Sequence, residues 1–233
     1  PYPPLGLRAL TRHSLAAALA LGAGLMLLPA TPAAASDDDN VGIQIVGGRL
    51  ASESYPFMAS LQRNGSHGCG GSLIAPQWVL TAAHCTSSGL SVRIGSANRS
   101  SGGQVISVSQ VINHPSYGRV AGHDIALLRL SQPVSGITPV QLGSSTPATN
   151  TDIRLLGWGQ TTPQRGGDGG SVQLKELDTR VIARNTCTNA TTGDLCIYGT
   201  ISNTACYGDS GGPAIVRSGG QWILHGATSR AGG

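Results

Sequence analysis

Gly208-Asp209-Ser210-Gly211-Gly212, within CYGDSGGP at 206–213, sets a serine between a carboxylate and two glycines. Glycine, aspartate and serine are ordinary turn formers, so the stretch reads first as a polar turn. It also reads as a nucleophile lifted on a tight backbone bend. A serine hydroxyl is too weak an acid to react unaided and needs an adjacent base, normally a histidine oriented by a carboxylate. The rest of the chain must supply both.

Chain order discriminates among the chemistries. Taken literally, 208–212 satisfies G-x-S-x-G, the elbow of α/β-hydrolases. That fold needs an acid and then a histidine after its serine, and residues 211–233 contain no Asp or Glu. A subtilisin-like order of acid, His and Ser fails too: no histidine lies between Asp124 and Ser210, leaving only Glu53 or the leader aspartates as the acid. The remaining order is His, Asp, Ser. TAAHC at 81–85 and HDIALLRL at 123–130 supply it through His84 and Asp124. Taken singly, a histidine beside a cysteine is more often a core residue than a base; the three in order favour catalysis. His67, His114, His123 and His225 keep a structural reading, and no cluster has convincing metal-ligand spacing. No metal or other cofactor is expected.

The elements that must position these residues are short. From Ile45 onward, apolar or alternating runs are broken by Gly, Pro, Asn and Ser: Phe57–Leu61, Ser72–Ile74, Trp78–Leu80, Val105–Ile112, Ile125–Leu130, Ile153–Leu156, Val181–Ala183, Pro213–Val216 and Trp222–Leu224. Such runs are strand signals, and no segment carries a long 3.6-residue period, so an all-β sandwich or barrel follows. Gln141–Asn150, rich in Ser, Thr and Pro, reads as a linker between two halves, and Gln160–Ser171 as a Gly-rich exposed loop. With 233 residues the chain has ample length for a core and a cleft. Only 11% of residues are charged and 34 are glycine, which suits a loop-rich secreted protein. The net charge of +4 is spread singly along the chain, without the basic patch that nucleic-acid binding needs.

The first 44 residues differ from the rest. Arg8, Arg12 and His13 precede the apolar run Leu15–Leu28, and Ala33-Ala34-Ala35 offers small residues for signal peptidase. Residues 1–35 therefore read as a signal peptide and the destination as extracellular, with no membrane attachment after cleavage. In an oxidising destination the five cysteines read as disulfide partners before metal ligands. Five is odd, so one partner is free or missing.

With IVGG at 45–48, GWG at 157–159 and GDSGGP at 208–213 added to TAAHC and HDIALLRL, the chain resembles the trypsin/chymotrypsin family of serine endopeptidases, as a secreted, bacterial-type member, from Ile45 to its last residue. The resemblance implies two six-stranded antiparallel Greek-key barrels with the active site between them, the first spanning about 45–140 and the second about 150–233. It implies His84 as general base, Asp124 as its orienting carboxylate, Ser210 as nucleophile, and the N–H groups of Gly208 and Ser210 as the oxyanion hole. It makes residues 36–44 a propeptide, with the new ammonium of Ile45 inserting beside Asp209 after cleavage; because the cut follows Gln44, a tryptic activator is doubtful. It places Thr204 at the base of the specificity pocket, arguing for a neutral pocket over one that selects Lys or Arg, and puts Ser229-Arg230-Ala231 where Ser-Trp-Gly usually pairs with substrate backbone. It pairs Cys69 with Cys85 and Cys187 with Cys196, leaving Cys206 without its usual partner because relatives continue beyond this point with a cysteine, a barrel strand and a helix. The second barrel is accordingly expected to be incomplete, with a catalytically impaired binding or regulatory protein as the competing function. Protein or peptide substrates, proteinaceous inhibitors and a monomeric state complete the expectation.

Overall fold

The computed structural model describes residues 47–120, 122–162, 168–200 and 203–230. The signal-peptide and propeptide expectations, Ile45 and Ala231 lie outside the described residues. Among the described residues no helix is long and apolar enough to cross a membrane.

Strands β2 (Met58–Arg63), β3 (Ser66–Ala75), β4 (Trp78–Thr81), β5 (Leu90–Ile94), β6 (Gln104–Asn113) and β7 (Ala126–Leu130) close into a barrel in the order β2-β3-β4-β7-β6-β5. The β2–β3 hairpin turns at Asn64-Gly65, both at positive φ (51° and 77°), the geometry that asparagine-glycine dipeptides favour in two-residue hairpins. In β5, LSVRI alternates so that Leu90, Val92 and Ile94 enter the core while Ser91 and Arg93 lie half-buried outside it. Leu61, Leu73, Val79 and Leu128 join them at 0–1% exposure. Each such side chain contributes about 1.5–3 kcal/mol by leaving water.

The second half is a six-stranded sheet in the order β1-β10-β9-β11-β12-β8, from β1 (Arg49–Leu50), β8 (Gln141–Leu142), β9 (Asp152–Gly157), β10 (Lys175–Arg180), β11 (Pro213–Ser218) and β12 (Gln221–Ala227). The fold is all-β, as expected, with two 3-10 turns, Ala83–Cys85 and Arg184–Thr186, as the helical elements among the described residues. Several expectations change in detail. The second sheet is not closed, in keeping with the expected incomplete barrel, but its β8–β12 pairing is parallel where antiparallel strands were expected. The first two residues of the expected linker are β8 itself. Val181–Ala183 forms an isolated bridge from Val181 to Ile197 instead of a strand, because β10 has already ended at Arg180. The described parts of the 160–171 loop are mostly half-buried: Asp168 accepts hydrogen bonds from Thr161 N at 3.1 Å and Gly170 N at 2.9 Å.

Strands β5 and β10 are not among the sequence-derived runs. β10 reads KELDTR, polar everywhere but at Leu177, because its carboxylates anchor a charged network. Glu176, fully buried, accepts from Ser52 Oγ (2.7 Å), Ser52 N (3.1 Å), Tyr55 Oη (2.7 Å) and Arg154 Nη1 (3.2 Å), and forms an ion pair with Arg49 Nη2 at 2.7 Å. Asp178 accepts from Arg154 Nη2 at 2.8 Å and Arg49 Nη2 at 2.6 Å. Burial alone would raise the Glu176 pKa, but bonds from Tyr55 and Ser52 outweigh it and hold it below the usual carboxylate value.

Candidate active site

Pairing of β4 with β7 sets Thr81 opposite Ala126, so the chain leaving β4 runs beside the chain entering β7. His84 sits in the 3-10 turn that follows β4, pinned by the Cys69–Cys85 disulfide with Cα atoms 6.1 Å apart. Asp124 then meets it twice: His84 N donates to Oδ1 at 2.9 Å, and His84 Nδ1 donates to Oδ2 at 2.6 Å. A carboxylate only accepts, so the ring proton sits on Nδ1 and the Nε2 lone pair is left open to take a proton. Ser229 Oγ donates a third bond to Asp124, to Oδ2 at 2.7 Å. Burial would raise the Asp124 pKa; the bonds from Ser229 and from His84 N and Nδ1 outweigh it and keep the carboxyl below its ordinary value.

Ser210 occupies a turn shaped by its glycines. Gly208 (φ 95°) would place a Cβ 3.0 Å from Gly159 Cα, and Gly211 (φ 77°) would drive one into Thr81 Oγ1 and Gly70 O. Only glycine fits there. The turn is tied to both halves of the fold. Gly70 N, next to Cys69 on β3, donates to Ser210 O at 2.7 Å, and Gly211 N donates to Thr228 O at 2.7 Å. The residue after Thr228 is the Ser229 that bonds Asp124, so a short span links the serine turn to the Asp124–His84 pair, while among the described residues no hydrogen bond joins Ser210 Oγ to His84 itself. Asp209 N, Gly211 N and Gly212 N all donate to carbonyls, whereas among the described residues no acceptor takes the N–H of Gly208 or Ser210. Two backbone donors flanking a serine hydroxyl are what stabilising an oxyanion requires.

Asp209 is 2% exposed and accepts from Gly159 N and Cys206 N, each at 2.8 Å. Burial pushes its pKa up to about 6 against those two backbone bonds. Among the described residues no cation contacts it.

His67, read from sequence as structural, shapes the turn. Its Nε2 lies 3.0 Å from Gly208 O and its Nδ1 2.9 Å from Ser60 Oγ. Since a carbonyl only accepts, Nε2 carries the proton and the Ser60 hydroxyl donates to Nδ1. Burial lowers its pKa to about 4, so it is neutral near pH 7 and fixes the Gly208–Asp209 peptide. Nothing local in SHGCGG marks this role; it is created by the approach of the 208–212 turn to β3.

The pocket residues are less closely grouped. Thr204 is half-buried, its Oγ1 3.0 Å from where a Cβ on Gly199 would stand, and no hydrogen bond joins it to Ser229 or Arg230. Arg230 is exposed and donates through Nη2 to Asp194 Oδ2 at 2.6 Å and Asn189 O at 3.1 Å, within the loop closed by the Cys187–Cys196 disulfide. Cys206 is a free, half-buried thiol whose Sγ faces Thr162 O at 3.4 Å. Donor atoms of Cys69, His84 and Cys85 lie within 4.8 Å of one another, but the two sulfurs are bonded to each other and so supply no thiolate ligand. Of the remaining histidines, His114 and His123 pack ring on ring at 4.6 Å, and His225 Nδ1 lies 3.1 Å from Ser145 O. A hollow of about 300 Å³, lined in part by Tyr117, Arg119, His123 and Asp124, adjoins the site. A larger one of about 690 Å³ on the second sheet is bounded by Arg154, Arg217 and Trp222 and shares no residue with it.

A closed β-barrel joined to a second β-sheet, carrying a carboxylate-held imidazole and a glycine-bounded serine turn, is the arrangement of two-barrel serine hydrolases. The sequence pattern of the Trypsin family matches residues 45–233. Trypsin alpha-4 of Lucilia cuprina is 38% identical over 199 residues, 77% of this chain and 75% of that protein. Serine protease 1 of Canis lupus familiaris is 38% identical over 214 residues (86% and 85%), and granzyme M of Homo sapiens 39% over 205 (80% and 79%). The solved structure of neuropsin, a serine protease expressed in the limbic system of mouse brain, superposes with a TM-score of 0.69 at 31% identity, covering 78% of this chain and 85% of that one. The chain belongs to the trypsin family, and it is a serine endopeptidase of the trypsin/chymotrypsin type.

Proposed function

We propose that Ser210, His84 and Asp124 form the catalytic triad and hydrolyse peptide bonds of protein or peptide substrates through an acyl-enzyme. The observation that carries this reading is the bonding around Asp124: it holds His84 Nδ1 at 2.6 Å and is itself held by Ser229 at 2.7 Å, beside a serine turn with two unengaged N–H groups.

In this mechanism Ser210 Oγ attacks the scissile carbonyl carbon while its proton passes to His84 Nε2. The carbonyl π electrons move to oxygen, and Gly208 N–H and Ser210 N–H receive the oxyanion. Removing one such donor in a related site costs about 3 kcal/mol. Collapse expels the amine, which takes the proton from His84. Water, activated by the same imidazole, then attacks the acyl ester and regenerates Ser210. Asp124 stays ionised throughout, and its low pKa suits it to stabilise the imidazolium.

Three finer readings join this one. The protein is exported by the leader at 1–35, acts as a monomer and is open to proteinaceous inhibitors. It is made as a zymogen and activated by cleavage before Ile45, whose ammonium pairs with Asp209; support comes from the complete burial of that carboxylate with two backbone donors and no described cation. Its primary pocket is neutral, because Thr204 brings no charge to hold a substrate Lys or Arg.

The test is hydrolysis of a casein digest and of peptide anilides by chain beginning at Ile45. Ser210→Ala is expected to lower kcat by about a million-fold, on the scale seen when a triad serine is removed elsewhere. Undiminished turnover in Ser210→Ala would reject the reading.

A further inference from the structure

The strand leaving β12 passes the serine turn, bonds Asp124 through Ser229 and then changes character. Thr228 spends both backbone groups on the 211–212 turn, with Gly211 N donating to its carbonyl and its own N–H donating to Gly212 O at 2.8 Å. Among the described residues, Ser229 and Arg230 make no backbone hydrogen bond, so this edge is open to an extended peptide lying across Ser210. At its end Arg230 places a guanidinium whose side chain is 44% exposed.

That guanidinium is held from behind. Both Nη2 hydrogens are engaged, by Asp194 Oδ2 and Asn189 O, and Asp194 is fixed in turn by Thr191 N at 2.7 Å and Thr191 Oγ1 at 2.9 Å. The loop before Asp124 closes over the same cluster, since a Cβ on Gly122 would collide with Thr191. Burial would raise the Asp194 carboxyl, but the bond from Arg230 leads those that hold it ionised below its usual value. Three of the five guanidinium N–H groups, on Nη1 and Nε, remain without a protein acceptor among the described residues. A planar fork anchored on one side and open on the other is built to take a second carboxylate.

We propose that Arg230 selects substrates with an acidic side chain two to four residues before the scissile bond, the guanidinium donating through its open N–H groups to that carboxylate. This rests on the protease reading above. Asp194 acts as a positioning residue: it pre-orders the fork and, by partly cancelling its charge, moderates the preference. A mere structural clamp between Arg230 and the 187–196 loop would affect all substrates alike.

The experiment measures kcat/KM for matched peptides carrying Glu or Gln at each of the second, third and fourth upstream positions, at low and at 0.5 M salt, after titrating Ser210 with a fluorophosphonate. Wild type is expected to favour Glu about three- to ten-fold at one of these positions, falling toward unity in high salt as expected of a half-exposed ion pair. Arg230→Gln should bring the Glu-to-Gln ratio to about one, and Arg230→Lys should keep part of it. Asp194→Asn should raise it. Titrated, active enzyme with no Glu preference, or an Arg230→Gln variant that weakens Glu and Gln peptides equally, overturns the inference alone. Absence of both titration and turnover overturns the protease reading and this inference with it.

Discussion

The buried carboxylate of Asp209 makes a quantitative prediction about the uncut chain. With an ordinary value of 3.8 raised to about 6 by burial, its ionisation in the folded state costs about 3 kcal/mol more than in the unfolded chain. Below about pH 4 the group is protonated in both states and its contribution is fully present. As pH rises toward 6 the unfolded chain ionises first and the folded state loses stability; above the folded value the loss is complete. Other carboxylates with lowered values, such as Glu176 and Asp178, move stability the opposite way and must be cancelled. The perturbation is therefore Asp209→Asn in a Ser210→Ala background, which blocks self-digestion. The assay is urea denaturation from pH 4 to 7.5, on chain with residues 36–44 retained and on chain beginning at Ile45. In the uncut form the stability of the background chain relative to its Asp209→Asn variant should fall by about 3 kcal/mol across this range. In the cut form most of that fall should vanish, because an ammonium compensates the charge. A flat difference in the uncut form would refute the argument that burial, with only two backbone bonds, leaves this charge unsatisfied.

Removing the Ser229 hydroxyl takes away a bond to an ionised carboxylate at 2.7 Å; Ser229→Ala should lower kcat about ten-fold, with KM for small amides little changed, by steady-state kinetics. Glu176→Ala should destabilise the fold by about 1–3 kcal/mol in thermal melts, since it leaves the buried Tyr55 hydroxyl and Ser52 without their acceptor while Arg154 and Arg49 keep Asp178. Because Glu176 and Asp178 titrate below their ordinary values, stability conferred by this network is present above about pH 4 and is lost as pH falls further, which an acid titration followed by circular dichroism will report. Gly211→Ala should cost about 3 kcal/mol or more, combining a positive φ with collision against Thr81 and Gly70.

How much of this is readable in the sequence follows from where each signal resides. The proposed triad of His84, Asp124 and Ser210 is legible because each sits in a short stretch whose residue types are dictated by one chemical task, and because chain order excludes the competing folds. The two disulfides come with the same family resemblance. Strand β10 stays hidden because Glu176 and Asp178 serve an arginine network instead of an apolar core, which leaves Leu177 as the strand's one apolar residue and no alternation to read. β8 reads as linker because two residues are too few to carry a period. His67 is invisible as a positioning residue, since its partner Gly208 lies 141 residues away and only the barrel packing brings the two together. The engagement of Arg230 by Asp194 depends in the same way on a tertiary approach, 36 residues apart, that no local pattern encodes.

The central claim is that Ser210 is a nucleophile activated by His84, and covalent labelling tests it whatever the natural substrate is. Chain beginning at Ile45 is treated with a fluorophosphonate and the adduct located by mass spectrometry. The account predicts a single adduct on Ser210, abolished in His84→Ala and strongly slowed in Asp124→Asn. Soluble, folded protein that takes no label on Ser210, or takes it at the same rate without His84, would contradict it.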